Sequence, residues 1–172
     1  MQPLSPSALQ APVSMLEKTP GLLELLLRDV PDDVLDWKPG AERWSISEVL
    51  GHMVMIEKLY EQRARRIVAE EHPALRKYEA PAEGEAKKPA REHLEEFVSL
   101  RRAFVFYLRS VPCSAAGRAG QHAELGTVTL GQMLHELANH DLGHVRQIAE
   151  LYRARSFYPH AGPYQRYSNP KP

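Results

Sequence analysis

TLGQMLHELANHDLGHVRQIAELYR, residues 129–153, is the stretch whose spacing decides the fold. Leu130, Met133, Leu134, Leu137, His140, Asp141, His144, Ile148 and Leu151 recur at helical intervals and define one inward stripe. Thr129 and Gln132 supply a capping box at its start, so the helix is predicted to run from there to about Arg153. At about 100° per residue, His140 and His144 lie only ~40° apart, one turn above each other on the apolar face.

A second stretch behaves the same way. Ser45 and Glu48 form another capping box, and Trp44 with Val49 suits the hydrophobic staple that flanks one. Behind them Val49, Met53, Ile56, Leu59 and Tyr60 form a stripe that ends near Ala69, and His52 falls in its row. A third helix is predicted over about Ala90 to Ser110, with Leu94, Phe97, Val98, Phe104, Val105 and Leu108 on one face. The first runs from about Ala8 to Asp29, with a break and restart expected at Pro20–Gly21, because proline inside a helix removes a hydrogen bond.

Between these lie segments read as connections: 31–43, bounded by turn residues; 72–89, rich in proline and charge; and 111–126, rich in Gly and Ala. Residues 154–172, with many Pro and Tyr, read as an irregular tail. No strand pattern of useful length is visible. Four long amphipathic helices predict an all-α fold, a four-helix bundle forming one domain over residues 1–172.

Composition narrows the function. Lys plus Arg and Asp plus Glu each total 22, so the net charge of zero gives no reason to expect nucleic acid or an anionic membrane. No run approaches the ~18 apolar residues of a membrane span, and the N-terminus lacks the pattern of a signal peptide. The single Cys113 cannot form an internal disulfide. A cytoplasmic protein acting on a small molecule is the resulting expectation. A homodimer is expected on the general frequency of twofold dimers alone.

Histidines carry the chemistry. Imidazole in a core costs free energy unless its nitrogens find partners, and a divalent metal is a partner for three rings at once. His52, His140 and His144 are therefore the candidate metal ligands, leaving open positions of the kind a catalytic site needs. The competing reading is three satisfied core histidines, and spacing leaves open whether His52 faces the other two. His135-Glu136 followed by His140 resembles the zinc-protease H-E-x-x-H motif but is one residue too long. His140 is rotated by ~140° from His135, so the protease reading fails and His135 is placed outside the site.

RWSISEVLGH, residues 43–52, and HDLGHVRQI, residues 140–148, resemble the two signature stretches of the DinB/YfiT-like superfamily. The resemblance extends over most of the chain, including the DWKP turn. It implies a four-helix bundle with a divalent metal on one histidine of the second helix and two of the last, which fall on His52, His140 and His144. It also implies a transferase using a low-molecular-weight thiol in detoxification or stress response, with a metal-dependent hydrolase or a non-catalytic metal-binding module as alternatives. Zinc, nickel or iron would suit such ligands. Gln147 matches the family pattern and is a candidate for orienting a ligand, whereas Arg146 stands where many relatives have glycine and is expected to face solvent rather than line the mouth of the pocket.

The remaining polar residues are read blandly. Cys113 is an incidental thiol, and Glu57 and Tyr60 are bundle surface. Asp141 is either support for a neighbouring histidine or a surface or inter-helix residue. His72, His93, His122 and His160 are solvated.

Overall fold

The computed structural model describes residues 9–78 and 88–170. Four long helices form the bundle: α1 (Gln10–Leu27), α3 (Ile46–Ala69), α4 (Ala90–Ser110) and α5 (Leu130–Tyr152). A single turn, α2 (Asp32–Leu35), lies in the connection that was expected to be all loop. Helix α1 packs against α4 and α5, and so does α3, so α1 and α3 face each other across the bundle. Consecutive long helices are thus diagonal neighbours in two of three connections.

The local signals act as their chemistry requires. The Ser45 hydroxyl accepts from the Glu48 N–H while the Glu48 carboxylate accepts from the Ser45 N–H. Thr129 and Gln132 repeat the exchange at α5. The apolar stripes close two clusters, one around Leu16, Phe104, Leu134 and Leu137, the other around Leu23, Leu50, Met53, Phe97 and Ile148.

The expected break at Pro20 does not occur: α1 passes through it without interruption. Proline has no N–H, so it leaves the Leu16 carbonyl, four residues back, without its helical donor. That carbonyl accepts instead from Arg101 Nη1 at 3.1 Å, a side chain arriving from α4. The predicted start at Ala8 falls outside the described residues, as does 79–87 of the long connection.

Arg101 is almost wholly inside the bundle, and it binds two carboxylates as well. Its Nε and Nη2 donate to Glu57 of α3 at 2.8 and 2.7 Å, and its Nη1 to Asp141 of α5 at 2.5 Å. All three side chains are at most 2 % exposed. Glu57 is therefore not bundle surface, and Asp141 takes the inter-helix role. A buried ion has to be fully hydrogen-bonded to be tolerated, and this guanidinium engages all four long helices.

The sequence showed no strands, yet the described residues include three short ones: β1 (Ala74–Leu75), β2 (Ala119–His122) and β3 (Gly126–Thr129), in that order across a small sheet. β2 and β3 form an antiparallel hairpin closed by Gly126 at φ 73°, and β1 adds in parallel. Gly120 makes the approach of β1 possible, because a Cβ there would lie 2.6 Å from Leu75 Cδ2. Composition hid these strands, since Gly and Ala are poor strand formers. The tail is not simply irregular either: it forms a π-turn at Arg153–Phe157 and 3-10 turns at Tyr158–His160 and Gly162–Tyr167.

Arg101→Met leaves two carboxylates buried without a cation and is expected to cost about 3–5 kcal/mol in urea unfolding. Removing Arg109 from its exposed pair with Glu17 should cost less than about 1 kcal/mol. Equal losses in the two variants would show that Arg101 does not anchor the bundle.

Candidate metal centre

The capped start of α3 sets the phase that turns His52 inward, and the capped start of α5 does the same for His140 and His144. Because α3 and α5 pack side by side, the three rings meet. His52 Nε2 lies 3.0 Å from His140 Nε2, and His144 Nε2 lies 3.1 Å from it. One nitrogen of each ring falls within 4.8 Å of the others. Nitrogens held about 2.0–2.1 Å from one tetrahedral ion stand roughly 3.3 Å apart, close to this spacing.

The outer nitrogen of His144 fixes its tautomer. Gln147 Oε1 can only accept, so His144 Nδ1 donates to it at 2.9 Å and the His144 Nε2 lone pair faces the cluster. His52 Nδ1 has Tyr78 Oη at 3.3 Å, a contact compatible with the same tautomer. His140 Nδ1 is buried and has no hydrogen-bond partner among the described residues. With His52 and His140 in the same tautomer as His144, all three Nε2 lone pairs converge on one point, a donor set that fits a divalent metal.

Electrostatics agree. Burial, reinforced by the His144 and His140 rings, pushes His52 down to about 4. Burial, with His144 and the Arg101 guanidinium, pushes His140 down to about 4 as well. Both rings are thus neutral at pH 7, the form that ligates a metal.

Around the cluster, the Trp44 ring, expected as half of a staple, lies 5.0 Å from the His52 ring and stacks at 6.3 Å on His144. An open groove of about 960 Å³ passes over His140 and His144, walled by Arg43, Asn139, Arg146, Gln147, Glu150 and Asn169. Arg146 is exposed, but as part of this groove's wall, the less expected of its two placements.

The other predicted positions separate clearly. His135 is exposed and away from the cluster, as its rotation required. His93 and His122 are half-buried rather than solvated. His93 packs on Gly51, where a Cβ would come 3.1 Å from its Nε2. His122 Nδ1 accepts from the N–H groups of Glu124 and Leu125 inside the hairpin turn. Cys113 is exposed. Sequence reasoning did not find Tyr78 or Arg43 as neighbours of the site, because loop residues carry no periodic signal.

The lowered values of His52 and His140 set a pH dependence. In the unfolded chain these rings take up protons near pH 6.5, in the folded chain only near 4, so the metal-free protein should lose stability as pH falls through that window. Thermal melts with chelator present should show this loss, and His52→Gln should lessen it. Identical pH profiles for wild type and variant would refute the neutral cluster.

A profile of the DinB superfamily matches residues 15–148. A curated protein of Oceanobacillus iheyensis, named as a candidate metal-dependent hydrolase, is 21% identical over 148 residues, covering 84% of this chain and 86% of its own. The solved structure of YfiT from Bacillus subtilis, described as a candidate metal-dependent hydrolase with an unusual four-helix bundle topology, superposes with a TM-score of 0.77 at 21% identity, over 89% of this chain and 90% of that one. With its bundle fold and a match over most of its length, this chain belongs to the DinB superfamily.

Proposed function

We propose that this protein is a metal-dependent enzyme that transfers a low-molecular-weight thiol to an electrophilic small molecule, with His52, His140 and His144 holding a divalent ion. The observation that carries the metal is the convergence of three Nε2 atoms, with the His144 lone pair fixed inward by Gln147. A divalent ion there would supply Lewis acidity, lowering the pKa of a thiol or a water that reached it.

The choice of thiol over water rests on the carboxylates. A thiol starts near pKa 8.5 and needs little help to ionise, whereas water starts far higher and commonly relies on a general base. Among the described residues, Glu57 and Asp141 are sealed onto Arg101, and Glu150, the one carboxylate of the groove wall, is engaged by Arg153 at 2.7 Å. Neither buried carboxylate is offered as a base for water. The groove has the volume of a site for small molecules, and Trp44 shields the histidines on one side. The alternative of metal-dependent hydrolysis draws its support from what the two relatives are called.

The test begins with metal content by elemental mass spectrometry on wild type, His52→Ala, His140→Ala and His144→Ala. The expected result is about one ion per chain in wild type and at least a tenfold loss in each variant with helicity retained. Metal-loaded protein should then consume electrophiles only when thiol is present. Turnover of esters or amides without thiol would favour the hydrolase, and absence of metal after reconstitution would sink both.

A further inference from the structure

Two cations in the groove have no role in the chemistry above. Arg43 comes from the connection before α3 and Arg146 from α5, and both wall the groove that passes over His140 and His144. Elsewhere on the surface arginines commonly sit against acids: Arg65 with Glu61, Arg66 with Glu70, Arg109 with Glu17, Arg153 with Glu150. Neither Arg43 nor Arg146 has an acidic partner among the described residues. The groove's one carboxylate, Glu150, is already engaged by Arg153.

A guanidinium presents its N–H groups in a planar fork that matches a carboxylate, and in a concave site it is less screened than on open surface. Two unpaired forks in one groove give it a positive potential that a further cation at the histidines would increase. Asn139, Gln147 and Asn169 add neutral polar groups to the same wall, suited to the remainder of a polar ligand.

We propose that Arg43 and Arg146 form a carboxylate-binding subsite, so that the small molecule delivered to the three histidines is an organic acid. This rests on the metal-and-thiol reading and adds the chemical class of one reactant. The acid group belongs to the thiol or to the electrophile, and binding measurements distinguish these.

Cobalt-loaded wild type, Arg43→Gln and Arg146→Gln are titrated with mercaptosuccinate, which carries carboxylates, and with uncharged 1-thioglycerol, following the thiolate-to-cobalt absorption band. Acrylate, an anionic electrophile, is titrated into the zinc-loaded proteins by tryptophan fluorescence. The expected result is a loss of about tenfold in affinity for one acid in each variant, with thioglycerol unchanged. Loss for mercaptosuccinate assigns the carboxylate to the thiol, and loss for acrylate alone assigns it to the electrophile. Unchanged binding of both acids, or an equal loss for thioglycerol, overturns the subsite while leaving the metal reading intact. Failure to retain cobalt, or no thiolate band with either thiol, overturns the metal-and-thiol reading itself and the subsite with it.

Discussion

Everything in this bundle is referred to one guanidinium. Arg101 reaches from α4 to Glu57 of α3, Asp141 of α5 and the Leu16 carbonyl of α1, with almost no exposure to solvent. Apolar packing alone tolerates small slides of one helix along another, because Leu and Ile fit several registers. A buried charge tolerates none, since a slip of one turn would leave it without its partners in a low-dielectric interior. The same register sets the histidines: Asp141 follows His140 directly, and Glu57 stands five residues beyond His52. Holding the carboxylates on Arg101 therefore holds the three imidazoles at one height in the bundle.

Pro20 belongs to this arrangement. A proline in mid-helix ordinarily counts as damage, because it strands a carbonyl one turn earlier. Here the stranded carbonyl is the acceptor that Arg101 uses, so the defect in α1 and the charge in α4 resolve each other. Taken alone, α1 would be expected to break where the sequence suggests; inside the bundle it does not.

Much of the fold was legible because helices announce themselves locally. The two capping boxes and the apolar stripes of α3, α4 and α5 placed those helices, and His140 with His144 shared a face by arithmetic. Whether His52 faced them was a tertiary question that only the packing of α3 on α5 answers. The ion cluster left a mark that could have been read: Arg101 interrupts the apolar row between Phe97 and Phe104, and Glu57 and Asp141 interrupt theirs. Three charges of opposite sign on inward rows imply mutual pairing. The hairpin was not legible, because its strands are built largely from Gly, Ala and polar residues and are held by backbone pairing and by the close approach at Gly120. Nor was the groove, since Arg43 and Asn169 come from segments without periodicity.

The separation of His52 from His140, 88 residues along the chain, bears on how the protein is made. Contacts that distant carry a larger loop-closure cost than local ones and slow folding. Until α3 lies beside α5, a nascent chain offers only the α5 pair, an incomplete chelate. A metal bound at all three rings would thus stabilise the assembled fold by mass action. Arg101, by contrast, ties α3 and α5 together through Glu57 and Asp141 whether or not an ion is bound.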